Sequence, residues 1–141
     1  MAARHRRRDF GRETSAAQPT VEVDGAFQRT RSDDLGNTGA PELQPYAEVD
    51  VGPTRRWTIN AAAIGISGRE REPGDERPAI DDYTVVNLSA IREGFVLDGL
   101  DLSLSARNVF GADAREDISS AIPFDLPVYP RRVPLGLSYS R

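Results

Sequence analysis

The chain has 141 residues, 38% of them hydrophobic and 28% charged, with a formal net charge of −4. That size suits a single domain, and the mild acidity argues against a general nucleic-acid binder, which needs a basic face. There is no cysteine, so disulfides, thiolate nucleophiles and Cys-based zinc sites are excluded.

Residues 1–18 are polar, lack hydrophobic periodicity and read as a disordered lead-in. The basic start is not followed by an apolar h-region, so no secretory signal is expected in it. Arg4, Arg6, Arg7 and Arg8 read as a solvated tail, with anion or anionic-lipid binding as the functional alternative. His5, the only histidine, has no partner nearby to hold it as a base or ligand. All other basic residues are arginine, which says little about fold.

From residue 19 onward the pattern has a period of two. Val21, Val23 and Phe27 alternate with Glu22, Asp24 and Gln28, and Ala47, Val49 and Val51 with Tyr46, Glu48 and Asp50. Trp57, Ile59, Ala61 and Ala63 then alternate with Thr58, Asn60 and Ala62, and Val86, Leu88 and Ala90 with Val85, Asn87 and Ser89. In these two segments part of the second face is apolar as well, which leaves their facing open. The clearest segment follows, with Leu100, Leu102, Leu104 and Ala106 set between Asp101, Ser103, Ser105 and Arg107. A helix would spread those leucines around more than half its circumference, whereas a strand puts them on one face. The last segment sets Val133, Leu135, Leu137 and Tyr139 against Pro134, Gly136, Ser138 and Ser140.

The connections carry as much information as the strands. Residues 31–45, 67–82 and 110–131 are long, whereas 52–55 and 92–99 are short. Transmembrane barrels show this asymmetry, with short periplasmic turns and extended extracellular loops. The expected fold is therefore an all-β antiparallel meander of about six strands, part of a transmembrane β-barrel and open or incomplete if alone. Residues 19–141 form that barrel segment, with Glu22, Asp24, Glu48, Asp50, Asp101, Ser103, Ser105 and Arg107 facing its interior. Buried in a small soluble barrel, such charges would each cost several kcal/mol. The opposite orientation, leucines in and charges out, gives the alternative: a soluble β-barrel or sandwich binding a small apolar ligand. No stretch approaches the roughly 20 apolar residues of a spanning helix.

Specific residues then narrow the family. Residues 79–88, Ala-Ile-Asp-Asp-Tyr-Thr-Val-Val-Asn-Leu, look like the start of a late strand in TonB-dependent outer-membrane receptors. Residues 98–111 resemble the penultimate strand of that family, with Asn108-Val109-Phe110-Gly111 in place of its Asn-Leu-Phe-Asp type ending. After a long loop, Pro130-Arg131-Arg132-Val133-Pro134-Leu135-Gly136-Leu137-Ser138-Tyr139 fits the family's final strand. The resemblance implies a fragment of a receptor for scarce ligands such as iron–siderophore complexes or cobalamin, working in the outer membrane. It implies outer-membrane lipid as a partner, together with a remaining barrel and plug that this chain lacks, as it lacks the TonB-contacting segment. Met1 then marks a start within a truncated or split gene, or the chain is a remnant. The family usually ends on an aromatic residue; Arg141 departs from that and puts recognition by the assembly machinery in doubt.

No catalytic, cofactor-binding or metal-binding residue is expected, because no nucleophile–base pair, metal cluster or phosphate loop is visible, and an enzyme is not expected. Asp81-Asp82 reads as turn chemistry before a strand. Arg69-Glu70-Arg71-Glu72 and Asp75-Glu76-Arg77 read as self-compensating surface charge, with a grip on an external ligand as the functional alternative. Asn87-Leu88-Ser89 matches a glycosylation sequon but lies inside a strand. Trp57, Tyr46, Tyr83 and Tyr139 lie near strand ends, where an aromatic girdle or core packing would use them.

Overall fold

Each alternating segment exposes a row of backbone donors and acceptors that must find partners. In the computed structural model, which describes residues 18–30, 40–117 and 122–140, they find them in one another. The main strands are β1 (Thr20–Arg29), β2 (Leu43–Thr54), β3 (Trp57–Ile66), β4 (Tyr83–Arg92), β5 (Leu100–Ala106) and β8 (Leu135–Tyr139). They pair antiparallel as a single six-stranded sheet in the order β1-β2-β3-β4-β5-β8. There is no helix among the described residues. The sheet is not closed: β1 and β8 are its two edges. The expected lead-in lies outside the described residues up to position 17, as do His5, the early arginines and Arg141.

Strand phase follows directly from the register. Val21 pairs with Val51, Val51 with Ile59, Ile59 with Ala90, Ala90 with Leu104 and Leu104 with Leu135, so these six share one face. Glu22 pairs with Asp50, Asp50 with Asn60, Asn60 with Ser89 and Ser89 with Ser105, which share the other. The two segments whose facing was open in the sequence are thereby fixed, with Leu88 and Ala61 on the apolar face and Asn87 and Ala62 on the polar one.

Loop lengths sort by end. The connections 67–82 and 107–134 lie at one end of the sheet, together with the β1–β2 connection after Arg29. The β2–β3 and β4–β5 turns lie at the other. The first of these turns is tighter than residues 52–55: the β2–β3 ladder shifts register between Val51 and Thr54, and only Arg55 and Arg56 connect the strands. The longest connection is not structureless, because β6 (Arg115–Glu116) and β7 (Leu126–Pro127) form a two-stranded ribbon inside it.

Burial is lopsided. The buried cluster contains Ile66, Tyr83, Val85 and Ala114, with Ile64 and Val128 packed against it. Ile64, Ile66, Tyr83 and Val85 lie on the polar face near the long-loop end, so the ribbon-bearing loop folds over that face. On the apolar face, Val23, Phe27, Leu135 and Leu137 remain about two-thirds exposed, and Ile59, Leu88 and Leu104 are exposed as well.

Gly99 shows how tightly β8 is held at the turn end. Its φ of +86° is open to glycine and costly for other residues, and a Cβ there would run into the Ser140 carbonyl oxygen. Substitution Gly99→Ala is expected to destabilise the fold by more than about 1 kcal/mol, read as a lowered urea midpoint. An unchanged midpoint would show that the turn does not hold β8.

Candidate functional site

The polar face carries the facing carboxylates of β1 and β2, and the loops above it carry the buried ion pairs among the described residues. Four carboxylates stand near the β1 edge, where Glu22 is opposite Asp50 and Asp24 opposite Glu48. Like charges directly across a ladder repel. Part of that repulsion is offset by Asn60, whose Nδ2 donates to Glu48 Oε1 at 2.5 Å and to Asp50 Oδ1 at 3.0 Å. The Tyr46 hydroxyl also donates to Glu48. Among the described residues no cluster of His, Cys, Asp and Glu is arranged to hold a metal ion.

At the long-loop end the charges are knitted together. Arg71 lays a two-pronged fork on Asp125, Nη1 to Oδ1 at 2.9 Å and Nη2 to Oδ2 at 2.6 Å. Arg77 donates to Asp75 Oδ1 through Nε at 2.9 Å, to Asp117 Oδ1 at 2.7 Å and to Asp125 Oδ1 at 3.2 Å. It also donates to the Ile122 carbonyl at 2.9 Å. The side chains of Arg71, Asp75 and Asp117 are less than 10% exposed. Within the 67–82 loop Arg71 and Arg77 do pair with Asp75, and Glu70, Glu72 and Glu76 are exposed, but the two arginines are largely buried and compensate charges beyond the loop as well. Arg71 and Arg77 reach carboxylates about 40 to 54 positions further along the chain and clamp two loops together.

Arg69 adds a second tie. Its guanidinium sits 5.0 Å from the Tyr83 ring centroid, within cation–π range. It also donates to the Arg115 and Asp81 carbonyls, at 2.5 and 2.8 Å, while its buried Nε has no partner. Tyr83 packs at a tilt against Tyr129, with centroids 6.2 Å apart. Asp82 Oδ1 accepts from the Gly68 amide at 3.0 Å, a contact 14 residues back that closes the loop at the strand ends.

Asn108 is the pivot of the last loop. It is buried, with φ of +49°, a conformation that asparagine tolerates better than other non-glycine residues. Its Nδ2 donates to the Ala112 and Tyr129 carbonyls at 2.8 and 2.7 Å, and its Oδ1 accepts from the Ala112 amide at 2.8 Å. Its own amide donates to Asn87 Oδ1 at 3.0 Å, which ties the loop to the sheet and occupies the sequon asparagine. The sequence marks Asn108 only as the first residue of a strand-ending motif; two of its four hydrogen bonds depend on Asn87 and Tyr129, each 21 residues away.

Between the sheet and this loop lies a cleft of about 490 Å³. Asn60, Asn87, Ser89 and Ser105 line it from the sheet, and Tyr129, Arg107 and Arg132 from the last loop and its strand junctions. Of the aromatic residues near strand ends, Trp57 and Tyr139 are on the apolar face at the turn end, where Arg92 stacks over Trp57 at 5.6 Å. Tyr46 and Tyr83 are on the polar face, Tyr83 buried. Compared with protein-family profiles, curated proteins and solved structures, the chain matches none.

The clamp sets an acid limit on loop order. Hydrogen bonds from Arg77, first from its side chain and then from its backbone, hold the Asp75 carboxyl at about 2, below its ordinary 3.8. Arg71 lowers Asp125 in the same sense, and Arg77 is raised chiefly by Asp75. A carboxyl whose folded pKa is depressed stabilises the fold above its unfolded value and loses that contribution as pH falls through the folded one. Amide exchange at Arg77 is therefore expected to speed up between about pH 4 and pH 2 beyond its intrinsic pH dependence. Exchange that follows the intrinsic rate throughout would mean the clamp does not order the loop.

Truncating the pivot gives a second check. Asn108→Ala strains the backbone and removes the side-chain hydrogen bonds to the Ala112 and Tyr129 carbonyls, each worth about 0.5–1.5 kcal/mol. Faster hydrogen exchange at Ala114 and Val128, with β3–β4 protection kept, is the expected outcome. Unchanged exchange there would refute the pivot role.

Proposed function

We propose that this chain is a wall segment of an outer-membrane β-barrel, of the kind found at the end of TonB-dependent receptors. One observation carries the reading: an apolar face runs without interruption across six strands and stays exposed. The loop that could have covered it folds onto the opposite, polar face instead. In water a sheet buries its apolar face against a second layer. In a bilayer the hydrocarbon is that layer, and the charged face turns to a wet lumen.

Other features agree. β1, β3 and β4 each have 10 residues, within the roughly 9–11 that a tilted strand needs to cross. Trp57 and Tyr139 stand together at the turn end, as in an interfacial girdle. All long loops share the other end, as extracellular loops do. Six strands fall short of the roughly eight of the smallest such barrels. Since an open edge does not persist in hydrocarbon, further strands must complete the wall. On this reading the segment supplies wall and the clamped loops to a receptor that imports a scarce ligand such as an iron–siderophore complex.

The test is a graft. Residues 19–141 replace the last six strands of a TonB-type receptor, and heat-modifiable migration of the outer-membrane fraction is scored. A folded, membrane-integrated barrel is expected. Leu88→Arg, near the middle of β4 on the apolar face, should then lower folding by about 2–4 kcal/mol, the cost of a midplane arginine. If this face meets water with Leu88 exposed as it is here, the position tolerates arginine within about 0.5 kcal/mol. A graft that never inserts, together with a monomeric, cooperatively unfolding soluble chain, would overturn the proposal in favour of the soluble ligand-binding alternative.

A further inference from the structure

Where β5 leads into the last loop, the chain places two arginines directly opposite one another. Arg107 and Arg132 form an antiparallel bridge, the Arg107 amide donating to the Arg132 carbonyl at 2.8 Å and the Arg132 amide returning the bond at 3.2 Å. Residues so paired project side chains to the same side of the ladder, and both line the cleft on the polar face. Like charges at such positions destabilise a sheet. At other clusters the cost is offset at least in part: Asn60 bridges Glu48 and Asp50, and Arg71 and Arg77 share Asp75, Asp117 and Asp125. Neither Arg107 nor Arg132 has a carboxylate within ion-pair distance among the described residues.

The rest of the lining mixes neutral polar groups with the apolar Leu88, Val128 and Pro130. Asn87, Ser89 and Ser105 offer amide and hydroxyl groups from the sheet and Tyr129 adds an aromatic side chain from above, whereas the Asn60 amide nitrogen is already committed to Glu48 and Asp50. Guanidinium forks match the planar spacing of carboxylate and phosphate oxygens. Two forks beside a floor of neutral donors would neutralise each other's repulsion by sharing one doubly charged oxyanion.

We propose that this cleft is a binding site for a small oxyanion-bearing molecule, a phosphate or carboxylate compound, held between Arg107 and Arg132. The site belongs to the polar face whether the opposite face meets lipid or water, so it does not rest on the membrane reading.

Thermal unfolding of the refolded chain, in nonionic detergent or in buffer as its solubility requires, tests this. Pyrophosphate and succinate are the probes, each compared with sodium chloride at matched ionic strength. A saturable rise in Tm with either probe, absent with chloride, is expected, and the stronger probe assigns the class. Arg107→Gln and Arg132→Gln should each weaken the apparent Kd by about tenfold or more, the loss of one charge-assisted fork. Each should also leave the unliganded Tm unchanged or higher, since the repulsion is relieved. Arg131→Gln, the same charge change one residue away, should keep the response. The proposal fails if chloride raises Tm equally, if the two variants keep full response, or if Arg131→Gln loses it to the same degree.

Discussion

Everything in this structure depends on one constraint, the strict two-residue alternation of side chains along an antiparallel ladder. Because pairing is in register from β1 to β8, a single choice of face in one strand fixes the face of every residue in the other five. A slip of one residue would carry leucines and valines to the carboxylate side. Separation of the two chemistries is thus a property of the whole ladder. The one register shift, between Val51 and Thr54, falls at the turn end, where it alters no residue of the apolar stripe beyond it.

The polar side is organised by a different physics. Apolar packing there is confined to Val85 and its few neighbours under the ribbon loop, too little to fix two long connections by itself. Directional bonds supply the order instead. Asn108 fastens the last loop through its side-chain amide, and Arg69, Arg71 and Arg77 fasten the preceding loop to it. Arginine suits this task because its planar fork binds a carboxylate at two points and keeps its charge at any accessible pH. The arginine content that looked compositional in the sequence has, at these three positions, a structural use.

Strand phase was legible in the sequence because it is a local property. The Leu100–Leu104 alternation and the clustering of loops by length needed only neighbouring residues to read, and all six main strands appear where alternation put them, extended by one to three residues at several ends. The clamp was not legible. Arg71 and Asp125 are 54 positions apart, and nothing in either segment alone distinguishes a tertiary ion pair from solvated charge. The β6–β7 ribbon escaped for a related reason: two residues on each side are too few to show a period. Ala62 and Val85 made the facing of β3 and β4 ambiguous, and Val85 is apolar on the polar face because it packs in the cluster beneath the ribbon loop.

The even strand count has a consequence of its own. β1 runs from the turn end toward the long loops and β8 runs back, so the first and last strands of the sheet are oppositely directed, and the chain enters and leaves the sheet at the turn end. A panel of this parity can be inserted into, or removed from, any larger up-and-down wall without reversing a neighbouring strand. The loops stay on one side and the turns on the other. In the language of assembly, such a panel would be an interchangeable stave, its fit depending on matching the height of the wall and not on the number of staves already in it.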